Sequence, residues 1–416
     1  MKRLLWISVA VLLLGGAALG AYVAIRLHES RNIQGSSSVE FTTAIATTTA
    51  VATPAAPKVQ WPAFGYGPER IHVGPGKLRP PFRKIWTYKG QALLEFPPAI
   101  GYGRLYFATN AGVMIAVNAK TGKRAWKGPS GRCVAASPAL ADGVVYEAFL
   151  NKPPCNAGGK HLDGVVIAYA VGFGREQWRH RIGASESSPL VAGGRVYVGD
   201  WNGDVWALAT SDGHVVWRTH VGGKLKGGVA LSGNRLYVGS YDGHLSCLDA
   251  RTGKRIWRTA AQPGLGGLGA FYATPAVAYG RVYVGSTDGK LYSFGATTGK
   301  LRWSHSTGGY VYSSAAVTQE RVLAGSYGGD FLALDAATGD VKWRFKANGP
   351  ISGSPTVVDG IVYFATLKRR TYALDVATGK LRWSYPDGKY SPVVTDGKRL
   401  YLIGYTRLYG MVPSHG

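Results

Sequence analysis

The sequence predicts an all-β fold: an eight-bladed β-propeller of four-stranded antiparallel blades, preceded by an N-terminal transmembrane helix. Three observations carry this. A unit typified by residues 235–257, RLYVGSYDGHLSCLDARTGKRIW, recurs along the chain. Anchor tryptophans stand at Trp86, Trp126, Trp178, Trp217, Trp257, Trp303, Trp343 and Trp383, with successive spacings of 40, 52, 39, 40, 46, 40 and 40 residues. A period near forty with four strands per unit is the pattern of a radial array of sheets. The ends, finally, are complementary. Residues 391–394, 399–404 and 407–411 offer three strands without a tryptophan strand, whereas 83–88 is a tryptophan strand without its preceding three. Pairing them closes the ring and removes a sheet edge.

Within the unit, Leu236-Tyr237-Val238-Gly239 alternates as a half-buried strand, and Asp242-Gly243 supplies a tight hairpin turn. Leu245 to Leu248 is the return strand. Thr252-Gly253 reverses the chain again, capped by Asp249, and Ile256-Trp257 begins an outer strand. Residues 1–28 read as a signal anchor, because an apolar run of this length after Lys2 and Arg3 can span a bilayer with its N-terminus in the cytoplasm. Ala18-Leu19-Gly20 leaves a cleaved signal peptide as the competing reading. No cysteine lies nearby to make a lipoprotein signal. The Ser, Thr, Ala and Pro content of 29–60 reads as a flexible tether, and 61–416 is the propeller. Its aromatic lead-in, 61–67, is expected to pack on the underside.

Composition fits this division. Hydrophobic residues make up 46%, and 59 glycines suit many tight turns, which excludes extended disorder. The 48 Lys+Arg against 23 Asp+Glu, a formal charge of +25, attract anionic surfaces. Much of the excess flanks the repeated tryptophans, where charge protects exposed sheet edges from aggregation. Both readings, edge protection and an anionic partner, stand.

The segments 282–289, 332–339 and 379–383 resemble the PQQ-type propeller repeat family. Within it, the chain is more similar to the non-catalytic outer-membrane-protein assembly-factor (BamB-like) group than to the quinoprotein dehydrogenases, and Trp61-Pro62-Ala63-Phe64 resembles the opening of that group. The resemblance implies a disc of sheets docked through tryptophans, and a role in holding partner proteins. A pyrroloquinoline-quinone (PQQ) enzyme would resemble this repeat but add adjacent cysteines, an aspartate base and calcium ligands over the ring axis. The axial loops read here, 128–137, 183–188, 222–228, 262–274, 307–314, 347–354 and 386–391, hold two carboxylates, Glu186 and Asp387, and no adjacent cysteines. No cofactor or metal is therefore expected.

Those loops do carry Arg132, Lys224, Lys226, Phe271, Tyr272, Tyr310, Tyr312, Lys389 and Tyr390, which with Glu186 make the expected binding face. Cations beside aromatic faces can hold an anionic small molecule or a partner's loop. Cys133 and Cys155, the latter inside the insertion 152–163, are expected to form a disulfide in an extracytoplasmic chain. Cys247 fills a slot taken by Ala or Ser in other units and reads as core. Asn118, Asp249, Asp335 and Asp375 recur once per unit before turns, as caps rather than metal ligands. No Gly-x-Ser-x-Gly elbow, phosphate loop or His-Cys spacing is present. The expected function is a membrane-anchored, extracytoplasmic, monomeric scaffold for envelope proteins, with an anionic cell-wall polymer or membrane surface as a further partner and nucleic acid excluded. A ligand- or carbohydrate-binding sensor is the alternative, and a PQQ-dependent oxidoreductase the third reading. Function is to be sought where the repeats disagree, including Lys368-Arg369-Arg370 in place of the seventh unit's Asp-Gly turn.

Overall fold

The computed structural model describes residues 2–42, 58–153, 155, 163–318 and 320–414, with side chains from Leu14 onward. Seven blades follow in order at residues 99–129, 139–183, 190–220, 230–260, 276–306, 316–346 and 356–385. The eighth joins both ends of the propeller. Its three inner strands come from residues 393–413 and its outer strand is Phe82–Lys89, paired antiparallel with Arg407–Pro413. The predicted closure is the observed one.

Each blade is an antiparallel meander, inner strand to outer. In the fourth, Ala230–Ser232 precedes Arg235–Gly239, His244–Asp249 and Arg255–Ala260, and a bulge at Cys247/Leu248 lies opposite the tryptophan strand. Asp249 Oδ1 accepts from the backbone N–H groups of Arg251 and Thr252 at 3.0 and 2.8 Å, so it caps its turn. Asn118, Asp335 and Asp375 do the same in their blades. Cys247 is buried in the core between blades 4 and 5.

The tryptophans lock neighbouring blades. Seven of them, all but Trp383, donate from Nε1 to a backbone carbonyl of the next blade's outer turn at 2.9–3.2 Å. Each ring lies flat on that turn's glycine, from Gly122 to Gly379. These glycines have positive φ, and a Cβ there would come within 2.5–2.9 Å of the tryptophan ring. The repeated Thr-Gly is therefore a docking platform as much as a turn. At the seam the platform is missing, and Phe82 meets Trp383 edge-on at 5.6 Å.

The lead-in closes one end of the axis. From Trp61 onward it passes beneath the inner strands, and the carbonyls of Pro62, Pro68, Glu69, Ile71 and His72 accept from the inner strands of blades 2, 4, 5, 6 and 7. Val73–Gly74 then pairs in parallel with blade 7. Arg70 sits fully buried at the centre of this coil.

The N-terminal segment differs from expectation. The helix Lys2–Glu29 (α1) forms, but among the described residues no helix is long and apolar enough to cross a membrane, so a transmembrane span is not supported there. Side chains 4–13 of the apolar run lie outside the described residues. Residues 30–42, read as tether, lie along blade 5: Ile33 bridges to Ser304, Glu40 pairs with Arg302, and Phe41 stacks on Tyr279. Backbone carbonyls of Ser36, Val39 and Glu40 accept from the buried Arg281 guanidinium, a partner that composition does not reveal. Residues 43–57 are outside the described part.

Candidate functional site

The blade-to-blade loops and the turns between each blade's second and third strands share one face, opposite the tryptophan-docking turns. Here the axis opens into a pocket of about 590 Å³, open solvent at its mouth included. Its floor is Phe64 of the lead-in. Hydroxyls line its neck because the inner strands of blades 3, 5, 6, 7 and 8 are led by Ser188, Thr274, Ser314, Ser354 and Ser391, and several of these oxygens tie one blade to another. Ser188 Oγ accepts from Ser137 N–H at 2.9 Å, Thr274 Oγ1 from Gly228 N–H at 2.7 Å, and Ser354 Oγ from Ser314 N–H at 2.9 Å. Ser391 Oγ donates to the Glu95 carbonyl at 3.1 Å.

Five of the expected binding residues converge on this pocket: Glu186, Lys226, Tyr272, Tyr312 and Tyr390. Glu186 and Lys226 form an ion pair at 3.2 Å, both largely shielded from solvent. The ammonium also lies 4.8 Å from the Trp201 ring, 5.4 Å from Tyr272 and 5.7 Å from Tyr241, so the protein's own lysine fills an aromatic cage. Lys224 stacks over the same indole at 5.0 Å. From Tyr272 an aromatic chain runs through Tyr312 at 4.8 Å, then to Tyr327 at 5.1 Å and Tyr310 at 6.0 Å. Tyr310 is 54% exposed, and Tyr241 and Tyr327 are exposed beside it. Across the mouth, Lys389 lies 5.0 Å from Tyr390 and 4.7 Å from Tyr405, and Arg369 lies 5.1 Å from Tyr405.

Two expected residues do not belong to this face. Phe271 is fully buried against Tyr292 and Phe294, since a loop aromatic that points inward is core. Arg132 is buried too, donating to the Asp163 carboxylate at 2.9 Å and to the Asp163 carbonyl. It fastens the second blade's insertion, whose Cys133–Cys155 disulfide has formed with Cα atoms 5.5 Å apart. Replacing both cysteines with serine is expected to lower stability by about 3 kcal/mol, the loop-closure entropy of a bridge of this span. Chemical denaturation with and without reductant checks this. Asp387, one of two carboxylates read onto the axis, is a structural clasp instead. It accepts from Tyr409 OH at 2.8 Å and from the N–H groups of Gly388 and Tyr405.

Glu95 escaped sequence reasoning. It lines the pocket from the loop after Trp86, whereas the axial loops expected from the repeat start after Trp126. Burial pushes its carboxyl up to about 7, with the Glu186 charge adding and Lys389 and Lys226 opposing. Burial likewise raises Glu186, against the pull of Lys226. A folded pKa above the usual carboxylate value means that the folded state holds the extra proton between about pH 4.5 and 7. Stability associated with Glu95 is therefore present at low pH and lost as pH rises through that window. Glu95→Gln is expected to melt above the parent at pH 8 and level with it below about pH 4.5, measured by paired thermal melts.

With fold and pocket in view, the class is clear: this is a PQQ-type repeat propeller whose blades dock through Trp-Gly contacts. The chain belongs to the family described as Outer membrane protein assembly factor BamB, which matches residues 83–224, 202–312 and 306–416. The assembly factor BamB of Escherichia coli strain K12 is 40% identical over 91 residues, covering 21% of this chain and 22% of that protein. Its counterpart in Salmonella typhimurium strain LT2 is 37% identical over 98 residues, 21% and 22% of the two chains. The matched stretch thus spans about a fifth of these curated relatives. Among solved structures, BamB from Moraxella catarrhalis shares a TM-score of 0.64 at 18% identity, over 80% of this chain and all of that one. Quinohemoprotein alcohol dehydrogenase from Comamonas testosteroni shares 0.70 at 15% identity, over 88% and 82%. At such identities the likeness shows the fold alone.

The quinohemoprotein likeness raises the question of a quinone held with a hard cation. The donor set does not fit. A hard cation needs several converging oxygens, whereas Glu186 is committed to Lys226, Asp387 to the seam, and burial favours the neutral form of the Glu95 carboxyl. Among the described residues, no three His, Cys, Asp or Glu side chains gather as ligands.

Proposed function

We propose that this chain is a non-catalytic scaffold of the cell envelope that grips a protein partner with its loop-bearing face. The observation that carries the reading is the exposed tyrosine cluster, Tyr241, Tyr310 and Tyr327, standing on half-buried Tyr272 and Tyr312 beside cations around an open pocket. Rigid aromatics with few rotatable bonds lose little entropy on contact, and interface hot spots favour tyrosine and arginine. The names of the relatives, outer membrane protein assembly factors, support a protein partner. The apolar run 4–25 behind Lys2 and Arg3 supports export and membrane attachment, with the propeller outside the cytoplasm. Replacing Tyr241, Tyr310 and Tyr327 together with alanine is expected to weaken partner capture by more than about tenfold, since each hot-spot truncation costs about 1 kcal/mol or more, while the melting curve stays put. Unchanged capture by crosslinking and pull-down sinks the reading.

The hydroxyl-lined pocket favours one second reading, a sugar ring stacked on Tyr272 or Tyr312 and bonded by the serines. Glycan-array binding that survives the triple alanine change distinguishes it.

A further inference from the structure

We infer that the corner of the loop-bearing face at blade 5 sits in the headgroup layer of an anionic bilayer, with the hairpin Pro263–Gly264/Gly267–Leu268 dipping its leucines into it. The inference rests on the reading of α1 as the membrane attachment and adds to it a surface of the propeller itself.

The junction between helix and propeller has no slack. Gln262 Nε2 donates to the carbonyls of Glu29 and Arg31 at 2.9 and 3.1 Å, and Gln262 Oε1 accepts from Lys290 Nζ at 3.0 Å and Ser304 Oγ at 2.6 Å. Lys290 Nζ also donates to the carbonyls of Ser30 and Arg31. Two residues on, Ile33 exchanges backbone hydrogen bonds with Ser304 at 3.1 and 2.9 Å. A flexible tether therefore does not separate the helix end from blade 5.

Depth follows from the helix rise. Glu29 lies four residues past Ile25, the last residue of the apolar run, or about 6 Å along the axis. The polar layer on either side of a bilayer core is about 5 to 8 Å thick. Gln262 is bonded to Glu29, and the hairpin leaves directly from Gln262 and touches the helix, so the hairpin sits at headgroup depth.

Its chemistry suits that depth. Leu265 is 54% exposed and Leu268 40%, and among the described residues outside α1 the only other exposed leucine is Leu381. Among the described residues, no other loop of this face exposes a large aliphatic side chain, whereas this one displays two beside the exposed Tyr22, Ile25 and Leu27 of the helix. Arg26 stacks over Tyr22 at 5.3 Å, an aromatic and a cation placed together as membrane interfaces favour. His28, Arg31 and the net charge of +25 complement anionic headgroups. A bilayer is thus the occupant that continues the apolar helix and matches the charge.

The test uses the full chain with Leu265→Cys, labelled with an environment-sensitive fluorophore and reconstituted into phosphatidylethanolamine/phosphatidylglycerol vesicles carrying nitroxide lipid. Cys247 is buried and Cys133–Cys155 is bridged, so the label goes to position 265. Phe173→Cys, at an outer turn of the opposite face and 91% exposed in the parent, is the control. Emission shifted to shorter wavelength and quenched by the nitroxide at 265, but not at 173, is the expected result. Emission at 265 as unshifted and unquenched as at 173, in protein that floats with the vesicles, overturns the inference alone. Protein that does not float overturns the membrane reading of α1 and the inference with it.

Discussion

A chain ending at Asp387 loses its cooperative melting transition and binds hydrophobic dye at room temperature. The truncation removes the three inner strands of blade 8 and with them Val393, Val394, Leu400, Tyr401, Leu402, Ile403, Leu408 and Met411, all at most 1% exposed. At about 1.5 to 3 kcal/mol for each buried side chain, the loss is as large as the whole of the roughly 5 to 15 kcal/mol by which native domains are stable. Geometry makes matters worse. Phe82–Lys89 becomes an unpaired strand, Trp86 loses Tyr401 at 5.8 Å, and blades 1 and 7 are left as two open edges. Calorimetry on the full and shortened chains checks this, and a single sharp transition in the shortened chain contradicts the closure.

Replacing Arg70 is expected to have the next largest effect. Its guanidinium donates to the carbonyls of Val229 at 3.0 Å, Ser188 at 3.2 Å, Pro189 at 2.9 Å and Phe64. None of these acceptors is a carboxylate, so four backbone dipoles solvate a buried cation, and burial draws its pKa down to about 9. The guanidinium stays charged at neutral pH. Arg70→Met keeps most of the volume and strands the four carbonyls, at about 1 to 3 kcal/mol for each unsatisfied group. A loss above about 4 kcal/mol, read by denaturant unfolding, is expected. A loss below about 1 kcal/mol means that the coil beneath the axis is held by its backbone bonds alone.

The repeats made the fold legible. Trp, Asp and Gly recur because each blade needs the same docking ring, turn cap and glycine platform, and the missing strands at either end foretold the closure. The site was only half legible. Lys226, Tyr272 and Tyr312 could be placed on the axial loops by counting from the tryptophans, yet Phe271, next in the chain to Tyr272, points the opposite way. Composition cannot tell which neighbour faces the core. Arg132 looked like a free cation because Asp163 lies 31 residues away across the disulfide-bearing insertion. The coil around Arg70 left no pattern at all, since it is built from carbonyls that every residue carries. The strap 30–42 is alike in this, its Ser and Thr reading as tether while its backbone binds Arg281.

The partner is expected to sit on the loop-bearing face. A photo-crosslinking amino acid placed at Tyr310 in living cells tests it most directly, with the same group at Phe173 on the opposite face as comparison. Discrete crosslinks to envelope proteins from position 310 and none from position 173 are the expected result. Crosslinks from position 173 alone, or the same products from both, contradict it.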